Sequence, residues 1–312
     1  MLNKFLCVIM LGAIMGFSSA GAQTAAATPT ASSRIRGKII VAKVDGHVTV
    51  ITKATGVSVA IKSGDSILDG TRIVTAPGAE AILVFSNGAS VDVAADSTLD
   101  IDEFQQDPFA TNQKVSEMTQ EPTTSVTKLN LTKGELVGKV VHLNIDRGSE
   151  FTVQTPVGAA GIRGTTFEII FRPDPSNPGH SLFTVYTVEG NVTVEVGHGS
   201  APVSVPAGKQ VVATFNYTPP SSTGTGTGAG AGTGTGTGTV SPITVVTSDT
   251  SASDTAAIQN TTVSIVTANE GVFIAASNAS TAAGTPSGAT PNPTSNTPSG
   301  TPDTTPVLSP GS

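Results

Sequence analysis

One glycine-rich stretch carries residue types that could do chemistry. Residues 155–169 read TPVGAAGIRGTTFEI, in which glycines surround a single cation, Arg163, directly before an alternating apolar run. An arginine in such a turn could cradle a phosphate, bind a carboxylate through its planar fork, or close the turn as part of the fold. A P-loop requires a lysine after its last glycine and a helix to follow. Here Thr165 follows Gly164 and the next element is a predicted strand, which argues against a phosphate cradle.

Metal and catalytic candidates are sparse in the rest of the chain. The four histidines have neither i,i+4 nor Cys/His spacing, and the single cysteine is Cys7, so no metal site is predicted. Acidic residues are dense between 92 and 103, where Asp100 and Asp102 would share a strand face and are weak candidates for calcium. A solvated acidic strand edge is the favoured interpretation, because no glycine-turned ligand loop accompanies them. We therefore expect no enzymatic activity and no cofactor.

The elements that position these residues are predicted to be strands. Between residues 37 and 216, apolar side chains alternate or run on over four to eight positions, and Gly, Asn, Asp and Pro turns separate the runs. The sequence SNGAS around Asn87 predicts a hairpin. Residues 103–127 interrupt this rhythm and are predicted to be a surface insertion, mostly loop with one helical turn. The expected fold is a single all-β domain, either a β-sandwich or a β-roll.

An internal repeat supports one continuous β domain. The segment DGHVTV at 45–50 resembles EGNVTV at 189–194. The glycine of each segment is followed eighteen residues later by another, Gly64 in the first copy and Gly208 in the second. Repeated β units usually pack in one sheet system. Chance similarity in Val- and Gly-rich sequence is the alternative.

The N-terminus has the features of an export signal. Residues 1–22 combine an early lysine, an apolar stretch and an Ala-Gly-Ala cleavage site. Cleavage is predicted to leave Gln23 as the mature start of a flexible lead that reaches residue 36. The apolar stretch is shorter than the ~20 residues of a membrane span. We therefore expect no transmembrane helix after cleavage, with an uncleaved anchor as the alternative, and a location in the periplasm or at the cell surface.

The charge balance argues against a nucleic-acid partner. The 312 residues include 16 lysines and arginines against 23 aspartates and glutamates, a formal net charge of −7, whereas phosphate binding needs clustered cations. One basic cluster precedes and enters the first predicted strand, at Arg34, Arg36, Lys38 and Lys43. It is interpreted as a solvated lead-in, with a binding patch as the alternative.

The C-terminal part of the chain, residues 217–312, has a different composition. It is rich in Gly, Thr, Pro and Ser, and the last basic residue of the protein is Lys209. A segment with few large apolar groups cannot offset its conformational entropy by burial, so most of this part is predicted to be disordered. Residues 258–276 are the exception, because they are apolar enough to form a short helix or a hairpin that docks on the core or binds a partner.

Several of these motifs follow the order found in FecR domains. FTVQTPVGAAGIRGTTFEI resembles the most recognisable signature of that family, while LTKGELVGKV, VEGNVTVEV and VPAGKQV resemble its middle and end. The resemblance covers residues 37–215 and implies an all-β extracytoplasmic domain. The best-known members pass a signal from an outer-membrane receptor to a cytoplasmic sigma factor. This chain starts with a signal segment in place of a cytoplasmic anti-sigma segment, so it resembles a stand-alone exported form.

The resemblance makes the glycine-rich stretch a fold signature and a candidate interaction site. Its residues are Thr155, Pro156, Gly158, Gly161, Arg163, Gly164 and Thr165. The proline is predicted to end a strand, and the glycines to turn the chain with positive φ. Arg163 is predicted to pair with a carboxylate or with carbonyls at the turn, and a ligand-facing Arg163 is the alternative. The carboxylates nearest in sequence are Asp146, Glu150 and Glu168.

For the whole chain we expect an exported, non-enzymatic FecR-domain protein that acts as a binding or interaction module of the envelope. Its partner would be a protein or a glycan of the bacterial envelope. The alternative is a periplasmic signalling component that modulates a membrane or sigma-factor regulatory system. A hydrolase is the third and least favoured hypothesis, because the sequence shows no catalytic constellation.

Overall fold

The structure, a computed structural model, describes residues 34–174, 180–197, 199–217 and 240–277. The predicted signal peptide, most of the predicted lead, the Gly/Thr-rich residues 218–239 and the end of the chain from 278 lie outside the described residues. Within the described ranges, none of the helices combines the length and the apolarity that crossing a bilayer requires.

Strands dominate the described residues, as the alternating sequence predicts. They are β1 (Ile35–Arg36), β2 (Ile39–Asp45), β3 (Val48–Thr52), β4 (Ser58–Ala60), β5 (Ser66–Ile67), β6 (Thr71–Thr75), β7 (Glu80–Phe85), β8 (Ser90–Val93), β9 (Thr98–Gln106), β10 (Gln113–Lys114), β11 (Ser125–Lys139), β12 (Glu150–Thr155), β13 (Gly158–Ile162), β14 (Thr166–Pro173), β15 (His180–Glu189), β16 (Asn191–Val196), β17 (Val203–Pro206), β18 (Lys209–Tyr217), β19 (Val240–Asp249) and β20 (Phe273–Ile274). One α-helix, α1 (Ala252–Asn269), and two short 3-10 turns (Val115–Glu117 and Ile145–Arg147) complete the described elements.

The long strands form two sheets. Sheet A has the order β4-β3-β6-β9-β11-β12-β13-β16-β17, and β1 extends it beside the end of β9. Sheet B has the order β5-β2-β7-β8-β11-β14-β15-β18-β19. All of these pairs are antiparallel except β11 with β12. The short strands β10 and β20 pair separately with each other.

The strand β11 belongs to both sheets and changes sheet at a glycine. Its residues up to Lys133 pair with β9 in sheet A, and those from Gly134 onward pair with β8 and β14 in sheet B. Gly134 has φ +104°, and a Cβ atom there would lie 2.1 Å from Ser97 Oγ. The bend therefore requires glycine, both for its backbone conformation and for the close approach of Ser97.

The hydrophobic core lies between the two sheets. Phe85 from sheet B meets Phe104 and Phe151 from sheet A edge to face, with ring centroids 5.1 and 6.4 Å apart. Around them the inward residues of nearly every long strand form a single apolar cluster. This face-to-face packing is a β-sandwich, and the predicted all-β fold is confirmed.

The repeat predicted from sequence follows the same path twice. β2 and β15 run in sheet B, turn into sheet A at Gly46 and Gly190, and continue as the hairpins β3-β4 and β16-β17. The chain then returns to sheet B at Gly64 and Gly208, as β5 beside β2 and β18 beside β15. The two copies are therefore equivalent structural units.

The outer face of sheet B is covered by α1. Ile258 and Ile265 of the helix are buried against Ile82 and Val137 of the sheet. The Ser251 side chain caps the helix by accepting a hydrogen bond from the Asp254 N–H, as Ser commonly does at this position. The outer face of sheet A, in contrast, carries exposed and half-exposed side chains along most of its strands.

The described segment of the C-terminal region is longer than the predicted 258–276. It begins at Val240, where β19 adds to the edge of β18, and it continues through α1 to the bridge at Ser277. The sequence signal is weak because α1 is rich in Thr, Ser and Ala and places only two isoleucines against the sheet. Tertiary contact, rather than local propensity, holds this helix in place.

The insertion predicted at 103–127 is shorter than expected and is anchored at both ends. Its first residues extend β9 to Gln106, and its last ones begin β11 at Ser125. Phe109 and Val115 are buried against Val272 and the end of β20, so the insertion packs on the C-terminal segment. The predicted helical turn corresponds to the 3-10 turn Val115–Glu117.

Candidate functional site

The signature begins as a tight hairpin between β12 and β13. Thr155 and Gly158 are cross-strand neighbours, with Pro156 and Val157 forming the turn between them. The Thr155 hydroxyl donates a hydrogen bond of 3.0 Å to the carbonyl of Gly158. Proline fits this turn because its missing N–H is not needed by the ladder.

The sequence predicts that the glycines of the signature all turn the chain with positive φ. The structure differs from this prediction at two of them. Gly158 and Gly161 lie within strand β13 and have no positive φ, because β13 pairs with β12 on one side and with β16 on the other. Gly158 is needed for space instead, since a Cβ atom there would lie 2.3 Å from the carbonyl oxygen of Glu195. A Cβ on Gly161 would meet its nearest atom, Thr193 O, at an ordinary 3.7 Å.

The second half of the signature is the turn that carries the chain from sheet A to sheet B. Gly164 has φ +82°, and a Cβ atom there would approach His142 Nδ1 to 2.8 Å. The neighbouring Thr165 is buried, and its carbonyl accepts a 2.9 Å hydrogen bond from the Val140 N–H. This turn is the position in the signature where positive φ is required.

Arg163 stands exposed at the start of this turn. Within the described ranges it forms no ion pair and no hydrogen bond, in contrast to the predicted pairing. Glu168 cannot reach it, because this residue lies on the outer face of sheet B, where Asp254 of α1 is close enough to influence it. The guanidinium is therefore available to a ligand or a partner.

A groove on the outer face of sheet A runs beside Arg163. It has a volume of about 280 Å³ and crosses β12, β13 and β16. The central strand places the small residues Ala159 and Gly161 on this face, while the side chains of Ala160 and Ile162 belong to the core. Small residues between two strands with longer side chains leave a trough, and its walls carry Thr152, Thr193, Glu150 and Glu195.

The groove thus combines an exposed cation with two carboxylates at its walls. Glu150 accepts a 2.9 Å hydrogen bond from the Thr152 hydroxyl, and Glu195 accepts one from the Gly199 N–H. Both carboxylates already have neutral donors, whereas the guanidinium has no partner among the described residues. Arginine in this state suits a planar anion such as a carboxylate.

Replacing Arg163 by alanine is expected to leave the fold intact. The side chain is exposed and makes no described polar contact, and substitutions at such positions change stability by about 0.5 kcal/mol or less. Thermal unfolding followed by circular dichroism should give a melting temperature within about 2 °C of the wild type. A large loss of stability would mean that the side chain supports the turn after all.

The predicted calcium candidates form an ion-pair network on the same outer face. Arg72 binds Asp100 with both nitrogens of its fork, at 2.6 and 2.9 Å. Lys53 lies 3.2 Å from Asp100 and 2.6 Å from Asp102. Burial works to raise the pKa of Asp100, but the contacts with Arg72 and Lys53 outweigh it and hold the pKa below its usual range.

Calcium is expected to have no effect on stability at these two aspartates, because two cations already neutralise them. Adding millimolar calcium should leave the melting temperature unchanged, whereas Asp100→Asn should cost about 2 kcal/mol by leaving Arg72 without its bidentate partner. A calcium-dependent rise of the melting temperature that Asp102→Asn abolishes would restore the calcium hypothesis.

Two buried carboxyl groups under α1 were not singled out as sites by sequence reasoning. Burial, followed by repulsion from Glu80, raises the pKa of Asp92 to about 7. Burial, followed by repulsion from Glu135, raises the pKa of Glu168 to about 8. In their strands, both acids alternate with core residues. Solvent-facing residues of a strand show the same alternation, so the sequence pattern does not distinguish a buried acid from an exposed one at these positions. Their burial depends on α1, which lies far away in sequence.

The comparisons with known proteins point to one family. Residues 71–202 match the family model described as FecR protein. Two crystal structures of a candidate anti-sigma factor from Parabacteroides distasonis ATCC 8503 are similar, at 15% and 16% identity and a TM-score of 0.32. The similarity covers 45% of this chain and 53% of theirs, so the chain spans about half the length of those proteins. At this TM-score the likeness carries no functional information. No curated protein matches the chain.

The residues that match the family model form a defined part of the fold. They run from the start of β6 to the residue before β17, and they include the signature hairpin, Arg163 and all the residues that line the groove. The first copy of the repeat, β2 to β5, lies outside them. The match therefore includes the signature residues 155–165, and residues 71–202 are similar to FecR proteins.

Proposed function

We propose that this chain is an exported, non-enzymatic regulatory protein whose FecR domain binds a protein of the bacterial envelope and passes on a signal. The match to the FecR family supports a regulatory role over a purely structural or adhesive one. The N-terminal segment, with its Ala-Gly-Ala site, supports export to the periplasm or the cell surface.

The observation that carries the proposal is the exposed Arg163 beside the groove on sheet A, which has no polar partner within the described part of the chain. The groove belongs to the matched domain, and its floor of Ala159 and Gly161 leaves space for a partner segment. Sheet B is covered by α1, so sheet A offers the more accessible recognition face. A carboxylate of the partner, from an acidic side chain or a chain terminus, would complement the guanidinium.

The proposal can be tested with the full-length protein in its native host. A photo-crosslinking amino acid at Ala159 should capture one envelope protein in intact cells. Arg163→Ala should lose this crosslink and reproduce the transcript changes caused by deleting the gene. Lys62→Ala is the matched control, because it removes another exposed cation far from the groove; it should behave as the wild type.

The outcomes separate signalling from binding alone. If deletion of the gene changes no transcripts while the crosslink persists, the protein binds but does not signal, and the regulatory part of the proposal is wrong. If Arg163→Ala retains both the crosslink and the normal transcript profile, the groove is not the recognition site. N-terminal sequencing of the protein from the envelope fraction should give Gln23, and an intact first residue would contradict the predicted cleavage.

A further inference from the structure

A second pocket lies on the opposite sheet, at the edge of α1. It has a volume of about 180 Å³ and is lined by the end of β2, the start of β7, the end of β8 and the second half of β11, with Thr261 of the helix beside it. Four of its lining residues are acids, namely Asp45, Glu80, Asp92 and Glu135. A pocket of this volume has room for about six waters at ~30 Å³ each, which is more than a single bare ion would fill.

Asp92 is the unusual member of this set. This residue is only 3% exposed, and its buried Oδ1 atom has no hydrogen-bond partner among the residues that the structure describes. The side chain stands in a row across three strands, between its register partners Ile82 and Val137, which both pack against α1. An apolar residue would continue that row, whereas an unsatisfied carboxylate in such a place is destabilising. A cationic ligand in the pocket would offset that destabilisation.

The cations of the protein that lie near this pocket are already engaged. Lys43 forms an ion pair with Glu80, and Arg172 forms one with Glu135. Among the described residues neither cation forms an ion pair with Asp92, and Lys43 acts on it only from a greater distance, by lowering its pKa. The pocket therefore keeps an excess of negative charge at its buried end.

The geometry also restricts the class of cation. Among the residues that the structure describes, no three acidic, histidine or cysteine side chains converge closely enough to hold a metal ion. An ammonium group has three N–H donors that can reach separate acceptors, and its alkyl stem tolerates apolar walls. The walls here include Ala79, Ala94 and Ala95. Both requirements are met by a primary amine that enters between the helix and the strand ends.

We propose that this pocket binds a primary ammonium group, with Asp92 as its buried counter-ion and Glu80 and Glu135 at its walls. The ammonium would come from a small diamine or from a lysine side chain of a partner. The site does not depend on the proposed function, because it lies on the other sheet from the groove.

The test uses the full-length protein at pH about 8, where the Asp92 carboxyl is largely ionised. Thermal unfolding is measured in amine-free buffer with added 1,4-diaminobutane, and with tetramethylammonium at equal ionic strength as a cation that lacks N–H donors. The diamine should raise the melting temperature by about 3–5 °C at ten times its Kd, and tetramethylammonium should not. Nα-acetyl-lysine methylamide, tested in the same way, separates the sources: stabilisation by it identifies a lysine side chain as a ligand, and stabilisation by the diamine alone identifies a free amine.

Two variants and a control make the result specific. Asp92→Asn should abolish the shift, and Glu80→Gln should weaken diamine binding severalfold by calorimetry. Asp146→Asn removes an exposed acid elsewhere and should keep the full response. If neither amine stabilises the wild type, or if Asp92→Asn responds as the wild type does, the proposal is wrong and the pocket holds only a proton and water.

Discussion

Gly158→Ala is expected to destabilise the protein by about 3 kcal/mol, because a buried backbone contact leaves no space for the added methyl group. The Cβ atom would overlap the carbonyl oxygen of Glu195 at 2.3 Å, and this oxygen belongs to a paired strand that cannot move alone. For a domain of this size the loss corresponds to a melting temperature lower by about 6–12 °C. Thermal unfolding of the purified variant measures it directly.

Gly161→Ala is the matched control in the same strand. Its Cβ would lie 3.7 Å from Thr193 O, at ordinary contact distance. The substitution also restricts the unfolded chain, so stability should change by about 0.5 kcal/mol or less, or improve slightly. If both variants lose stability equally, the effect comes from general loss of glycine in β13 and not from the contact with Glu195.

The free energy of unfolding is expected to fall as the pH rises from about 5 to about 9. The pKa of Asp92 is raised from 3.8 to about 7 and that of Glu168 from 4.5 to about 8. A group whose pKa is raised on folding stabilises the folded state while it is protonated, and this contribution is lost as the pH passes through the folded-state value. For Asp92 alone the loss between pH 5 and pH 9 corresponds to about 3 kcal/mol at 1.36 kcal/mol per pKa unit, because about two pKa units of the shift lie above pH 5.

Several charged groups from the elements packed around these acids contribute to the shifts. Glu80 and Glu135 raise the pKa of Asp92, while Lys43 lowers it. For Glu168, Glu135 and Asp254 of α1 raise the pKa, and Arg172 lowers it. Tyr186, between the helix and the sheet, has a raised pKa for the same reasons, with burial as the largest.

The double variant Asp92→Asn/Glu168→Gln isolates the cause of the pH dependence. It should be more stable than the wild type at pH about 9, and its unfolding free energy should be nearly independent of pH above about 5. Urea denaturation in phosphate and borate buffers, without amines, measures both. A wild-type stability that rises over this range, or a variant that retains the wild-type slope, would show that other groups control the pH dependence.

The strands could be predicted from sequence where alternation is strong. In β16 the valines at 192, 194 and 196 face the core, and Thr193 and Glu195 face outward. The segment GAAGI of β13 consists mostly of small residues and shows no alternation of apolar and polar side chains. The sequence therefore predicts that it is part of a turn. It is a strand because β12 and β16 both offer it backbone partners, which is a property of the assembled sheet.

The candidate site could be predicted only in part, because the contacts of its residues also depend on how the sheets assemble. The signature and its arginine were identifiable by residue type, but the pairing of Arg163 depended on which sheet each carboxylate would join. Glu168 follows Arg163 by only five residues, yet the turn at Gly164 sends it to sheet B. The buried state of Asp92 could not be predicted either, because nothing near it in sequence indicates that a helix covers its strand.

The covering of sheet B by α1 also has a consequence for the order of assembly. The hydrogen bond between Ser90 and Asn269 joins positions 179 residues apart. Contacts of such long sequence separation form only after the loops they close have lost their freedom, which slows folding. The helix has no surface to dock on until β7, β8 and β11 are paired. We therefore expect α1 to be the last element to fold and the first to detach, so its amide protons should exchange with solvent before those of β11.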